Sequence, residues 1–308
     1  MYKSETTARS RAWRKAGLVM VLALATVTAF AADVNNLSRI TQGPGGPPIF
    51  VKIHSAPEGL RTALPSLPQN DQFRWTGRVA PGKSIEIKNI NGDISAEPAS
   101  GDELEVTAAK TARRSDVSQV EIKVVEHPGG VTICAVYQSD DPSSPNTCEP
   151  GRGKGHMNVR NNDVKVAFKI RVPTGVTLVG RTVNGEISAL ELGGNIESTT
   201  VNGSINISTN GYAQASTVNG DITARLRDAN WPGSIDFKTV NGTINLDLPA
   251  ATSSKVEATT LSGDIASDFP LTMLESTSRK HLSGTIGGGG REINLKTVNG
   301  SIHLKRIG

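Results

Sequence analysis

From about Phe73 onward, apolar and polar residues alternate in short runs, the period of strands with one buried face. Ile85 and Ile87, Ile235 and Phe237, and Ile293 and Leu295 form such runs, as do Ile244, Leu246 and Leu248, or Ile302 and Leu304. Between paired runs lies a recurring unit: an aliphatic residue, Asn or Ser, Gly, a polar residue, then Ile. It occurs as Ile90-Asn91-Gly92-Asp93-Ile94, Val183-Asn184-Gly185-Glu186-Ile187, Val201-Asn202-Gly203-Ser204-Ile205 and Val218-Asn219-Gly220-Asp221-Ile222. It returns as Val240-Asn241-Gly242-Thr243-Ile244, Leu261-Ser262-Gly263-Asp264-Ile265, Leu282-Ser283-Gly284-Thr285-Ile286 and Val298-Asn299-Gly300-Ser301-Ile302. Weaker half-units, Gly194-Asn195-Ile196 and Gly233-Ser234-Ile235, add turns between them. A repeat of this length holds a strand and a tight turn.

Phe237 and Ile244 are an odd number of positions apart, so one straight strand would send the two runs to opposite faces. The chain must therefore reverse at Asn-Gly, residues that adopt positive φ at little cost. Two all-β architectures satisfy that parity. In one, each pair of runs is a coil of a β-solenoid and the Asn-Gly corners stack along its axis. In the other, the chain is an antiparallel array of two-residue Asn-Gly β-hairpins. The first position of the unit is aliphatic in all eight copies; this predicts a buried side chain and favours the solenoid. Lys305 and Arg306, on the last run, are expected to protect an exposed sheet edge.

Residues 95–182 are also β-patterned but lack the Asn-Gly unit. They are interrupted by an insertion, 138–163, with Cys148, Pro142, Pro145 and Pro150. Long insertions on a regular scaffold often carry binding loops, and the cations Arg152, Lys154 and Arg160, with His156, suit an acidic partner.

The formal charge of +4 suggests a nucleic-acid partner until its location is considered. Residues 1–31 hold five of the 33 basic and one of the 29 acidic side chains, which leaves 28 of each in the remainder. A balanced chain lacks the electrostatic footprint of a nucleic-acid binder. The cationic start precedes an apolar run, Ala16 to Ala31, that ends in Ala29-Phe30-Ala31, as a secretory signal peptide does. The run is shorter than the ~20 residues that span a bilayer, so no transmembrane segment is expected after cleavage. Residues 32–75, rich in Pro and Gly, read as a linker or arm ahead of a repetitive β domain over 76–308. Export to the periplasm, cell surface or medium would place Cys134 and Cys148 where thiols oxidise, and they are expected to form a disulfide rather than stay as buried thiols. Their spacing is not that of a redox C-x-x-C pair.

The signal sequence, the Val-Asn-Gly-x-Ile units, the Val-Pro-x-Gly-Val stretch at Val172–Val176 and the Gly287–Gly290 run resemble the bacterial putative adhesin family. The resemblance covers about residues 76–308 and implies an exported β-solenoid of unknown function, with no site residues to carry over.

Reaction chemistry is not legible. His54, His127, His156, His281 and His303 form no zinc motif, and neither a nucleophile elbow nor a P-loop is present. The best enzymatic case is polysaccharide cleavage by the fourth positions of the units, Glu186, Ser204, Asp221, Thr243, Asp264, Thr285 and Ser301. Two rungs of about 4.8 Å would put Asp221 and Asp264 about 10 Å apart, near the limit for an inverting carboxylate pair. Alternating acids and hydroxyls also simply avoid like charges in a stack, and nine aromatics after residue 31 offer few sugar platforms. The sequence therefore predicts a non-enzymatic exported binding scaffold without metal or cofactor. Its expected partner is an envelope protein, a glycan or peptidoglycan, and the alternative role is an envelope-stress or structural component. The candidate site residues are the cystine pair Cys134 and Cys148 and the turn residues Asn91, Gly92, Asn184, Gly185, Asn202, Gly203, Asn219, Gly220, Asn241, Gly242, Gly263, Gly284, Asn299 and Gly300.

Overall fold

The computed structural model describes residues 70–308 except Lys154, His156 and 274–277. The signal peptide, most of the linker and two of the insertion's candidate ligands lie outside these residues. The described chain forms 21 strands and one short 3₁₀ turn, Val117–Gln119. The strands are β1 Asn70–Arg78, β2 Ser84–Lys88, β3 Ile94–Pro98, β4 Glu103–Thr111, β5 Val120–His127, β6 Gly130–Tyr137 and β7 Lys165–Val172. Next come β8 Thr177–Arg181, β9 Ile187–Leu192, β10 Ile196–Thr199, β11 Ile205–Thr209, β12 Ala213–Ser216, β13 Ile222–Leu226 and β14 Ile235–Lys238. The last are β15 Ile244–Pro249, β16 Ser254–Thr259, β17 Ile265–Ser267, β18 Leu271–Met273, β19 His281–Ile286, β20 Arg291–Lys296 and β21 Ile302–Ile307. β1 starts inside the stretch that the sequence assigned to the linker, because Phe73 and Trp75 alternate onto the core.

The strands make two mixed sheets. One runs β1-β4-β7-β3-β9-β11-β13-β15-β21-β17 and the other β18-β19-β16-β20-β14-β12-β10-β8-β2-β6-β5. Strands that precede a unit lie in the second sheet and strands that follow it in the first, so each unit joins the sheets and the two strands form one rung. Neighbouring rungs pair in parallel, which excludes an array of simple hairpins. Antiparallel pairs are confined to the two ends, at β1-β4-β7 and β5-β6, and at β16-β19-β18. Between the sheets the fifth positions stack as Ile94, Ile187, Ile205, Ile222, Ile244 and Ile302, each at most 1% exposed. They face Ile87, Leu178, Ile196, Ile235 and Phe237 of the second sheet in one hydrophobic core.

Rung order departs from chain order. The final rung, β20 with β21, lies between β14 with β15 on one side and β16 with β17 on the other. β21 is therefore covered by β17 over Ile302–Leu304 and does not end the sheet there, whereas Lys305 and Arg306 lie past that cover. β17 stops at Ser267, opposite Leu304, and Asp268 beyond it accepts the Arg306 N–H. The unit at Leu282 is not a connection either. Gly284 sits inside β19, opposite Val256 of β16 and Met273 of β18, so its assignment as a turn residue is corrected.

Candidate functional site

Each connection reads Thr-Val-Asn-Gly, with Asn89-Ile90 replacing Thr-Val in the first and Leu261-Ser262 replacing Val-Asn in the rung outside the last. The threonines, which the sequence reading left outside the repeat, are buried, and each hydroxyl donates to the glycine carbonyl of the adjoining rung. Thr182 reaches Gly92 at 3.1 Å, Thr200 reaches Gly185 at 3.0 Å, Thr217 reaches Gly203 at 3.0 Å, Thr239 reaches Gly220 at 3.0 Å and Thr297 reaches Gly242 at 2.9 Å. Thr260 reaches Gly300 at 2.8 Å. Their constant place just before each unit was the available signal.

The asparagines stack. The side-chain amides of Asn184, Asn202, Asn219, Asn241 and Asn299 each donate to the amide oxygen of the adjoining rung, at 2.7–2.8 Å, and the ladder ends on Asn91. Bonds aligned in one direction polarise one another. None of these asparagines has positive φ, so their value is the ladder rather than a left-handed backbone. The glycines are needed for space. A Cβ on Gly203 would lie 2.0 Å from the Gly185 carbonyl oxygen, and one on Gly300 2.0 Å from that of Gly242.

In five connections the aliphatic first position faces outward, contrary to expectation, whereas Ile90 packs against the core. Val183, Val201, Val218, Val240 and Leu261 are 37, 36, 38, 38 and 68% exposed. The buried place at the bend is taken by threonine, whose hydroxyl has a partner there. The fourth positions also serve the backbone: Asp93 accepts from the Glu186 N–H at 2.8 Å, and Asp221 from that of Thr243 at 2.7 Å. Because the last rung intervenes, Asp221 and Asp264 are three rungs apart, about 14 Å, too far for an inverting pair. Thr285 is not in this row at all.

A second region forms where the insertion crosses the outer face of the second sheet. Cys134 on β6 and Cys148 are joined by a disulfide, with Cα atoms 5.8 Å apart. A closed loop of that length contributes about 3 kcal/mol in the chain-entropy account. Beside it, Glu86 is 4% exposed and accepts from the Gly151 N–H at 2.9 Å, the Arg181 Nε at 3.0 Å and the Thr132 hydroxyl at 3.1 Å. Lys88 Nζ donates to the carbonyls of Glu149 at 2.5 Å and Gly151 at 2.7 Å. Burial alone would raise the Glu86 pKa, but these donors and the Lys88 charge outweigh it and hold the carboxyl below its ordinary value. For Lys88, burial is the largest influence and the net direction is downward. Glu86 and Lys88 alternate on the polar side of β2, and nothing local in sequence points to partners about sixty residues away.

The pinned insertion carries Arg152 to a polar groove whose other charged walls are Arg181, Glu197, Asp236 and Lys238, with Gln214 and Ser216 in its lining. Lys238 pairs with Asp236 at 2.9 Å. Arg152 is exposed and has no ion pair or side-chain hydrogen bond among the described residues. Arg160 is exposed but does not line the groove.

Glu86 also sets an acid limit. Its pKa is lower folded than unfolded, so its stabilisation is complete above the unfolded pKa and is lost as pH falls through the folded one. Glu86→Gln is expected to cost about 3 kcal/mol at pH 7, because it removes the buried carboxylate that faces the half-buried Arg181 and Lys88 and accepts from Gly151 and Thr132. The gap between variant and wild type should narrow as pH falls below the ordinary glutamate range and through the lowered folded pKa, where Glu86 takes up a proton. Urea unfolding at pH 7 and pH 3 measures both values.

The rungs and connections define a solenoid-like all-β protein. Among the described residues no group of His, Cys, Asp and Glu is arranged to hold a metal ion, and no helix is long and apolar enough to cross a membrane. The family described as Toastrack DUF4097 matches residues 67–305, and the chain belongs to it. No curated protein matches. Among solved structures, a putative cell adhesion protein from Clostridium sporogenes is 12% identical over 78% of this chain and 100% of its own, with a TM-score of 0.41. A putative adhesin from Bacteroides fragilis is 10% identical over 77% and 97%, with a TM-score of 0.30. A putative lipid binding protein from Parabacteroides distasonis is 11% identical over 79% and 98%, with a TM-score of 0.24.

Proposed function

We propose that this chain is an exported, non-enzymatic binding scaffold of the cell envelope or surface, and that it takes an acidic polar partner in the groove below Arg152. In this reading the Asn-Gly connections are corners that keep the rungs in register, and the cystine holds the insertion in place. The observation that supports it is the delivery of an exposed arginine, without an ion pair among the described residues, by a loop anchored through Glu86, Lys88 and a disulfide, to a groove lined with hydrogen-bonding groups. The carboxylates of an envelope protein, of an acidic glycan or of the peptide stems of peptidoglycan present such chemistry. Exposed charge contacts of this kind weaken with salt.

The test is retention of purified protein on peptidoglycan sacculi and on immobilised envelope extract, with Arg152→Glu/Lys238→Glu as the comparison. The reading expects salt-sensitive retention of the wild type, reduced about tenfold in the variant. Equal retention of the two proteins rejects it.

A further inference from the structure

The exposed aliphatic row is separate from the groove and has no role in either sheet. In spatial order the first positions run Ile90, Val183, Val201, Val218, Val240, Val298 and Leu261, of which Val183, Val201, Val218, Val240 and Leu261 are exposed, Val298 is half-buried and Ile90 packs against the core; the asparagine ladder runs directly beside them. Each ladder amide has two N–H donors and two oxygen lone pairs. An interior asparagine such as Asn202 spends one donor and one lone pair on its ladder neighbours. One of each is left per rung, and Asn184, Asn202, Asn219, Asn241 and Asn299 are all exposed. The edge thus presents an apolar line and a parallel line of donor–acceptor groups, both repeating with the rungs.

We infer that this edge binds a linear, uncharged β-1,4-linked polysaccharide, with one pyranose ring per rung. An extended β-1,4 chain advances about 5 Å per sugar, close to the rung spacing of about 4.8 Å, so several rings stay in register with successive rungs. Its rings present C–H faces that suit the valine row, and its hydroxyls can both donate and accept, as the free amide positions require. A second copy of the chain fits less well. The apolar row is one side chain wide, too narrow to bury the roughly 1,200 Å² of a stable protein interface. Each valine contributes little, so affinity comes from the number of rungs engaged and depends on ligand length.

Titrations with cellohexaose and chitohexaose, each against its disaccharide, test the inference. The wild type is expected to bind at least one hexasaccharide about tenfold more tightly than the matching disaccharide. Val183→Thr/Val201→Thr/Val218→Thr/Val240→Thr keeps the branched shape at exposed positions and should lose most of that binding while retaining the wild-type melting temperature. If that variant proves unstable, Val201→Lys/Val240→Lys serves the same purpose. Arg152→Glu should leave hexasaccharide binding unchanged, which separates this site from the groove. Four results overturn the inference: no binding of either hexasaccharide, undiminished binding by the valine variants, loss of binding in Arg152→Glu, or a valine-dependent dimer in sedimentation.

Discussion

Removal of residues 291–308 is expected to unfold the whole C-terminal part of the β domain rather than trim one end of it. The deletion takes out β20 and β21 and with them Ile293, Leu295, Ile302 and Leu304, all at most 2% exposed. At about 2 kcal/mol for each buried aliphatic side chain, the direct loss is about 8 kcal/mol. That is comparable with the entire stability of an ordinary domain. The indirect loss follows from position: β16 and β17 reach the rest of the stack through β20 and β21. Hydrogen exchange should show that amides of β16, β17 and β19 lose protection while those in β8 to β13 retain much of theirs. A rung at the end of the stack would leave no such gap, and its loss would leave β16, β17 and β19 protected.

The second large effect concerns Gly203. Alanine at this position places a methyl group 2.0 Å from a backbone carbonyl oxygen of the adjoining rung. That oxygen belongs to Gly185 and also accepts the Thr200 hydroxyl, so it cannot withdraw without breaking a part-buried hydrogen bond. The rungs must separate or shear, and a cost of about 3 kcal/mol is expected. Gly284→Ala is the control. There the added carbon would come no closer than 3.3 Å to the Thr272 carbonyl oxygen. Thermal or chemical denaturation of the two variants should separate them clearly; equal destabilisation would contradict the stacking of the connections.

Much of this fold was visible in the letters. Alternation at Ile235 and Phe237 or Ile244 and Leu246 marked the strands and their buried faces, and the fifth-position isoleucines do line the core. Two things were hidden. Leu282-Ser283-Gly284-Thr285-Ile286 differs from the connection Leu261-Ser262-Gly263-Asp264-Ile265 at one position, yet His281 precedes it where Thr or Asn stands before every true one. The missing hydroxyl was the clue, because a bend without it leaves the neighbouring glycine carbonyl without its partner. Rung order was hidden for a different reason. Successive rungs present the same Ile, Thr and Asn contacts to both neighbours, so the last rung fits between two others as well as at an end. The outward valines were misjudged because a consistently aliphatic position looks buried unless an adjacent threonine claims the interior.

Of the groove site, the insertion with Arg152 and Cys148, and its partner Cys134 on β6, could be found in advance. Glu86 and Arg181 are 95 residues apart and meet only because β2 and β8 pair in parallel. The groove needs β8, β10, β12 and β14 side by side in addition to Arg152. No local pattern encodes such a meeting of strands.

Disulfide trapping tests the rung order most directly. Asn245 pairs with His303 across β15 and β21, and His303 pairs with Ala266 across β21 and β17. Adjacent parallel strands bring Cα atoms within the range a disulfide spans, whereas two rungs are separated by about 10 Å. Asn245→Cys/His303→Cys is predicted to cross-link readily under mild oxidation, and Asn245→Cys/Ala266→Cys is predicted not to. Efficient cross-linking of the second pair and none of the first would show rungs stacked in simple chain order and would contradict the architecture described.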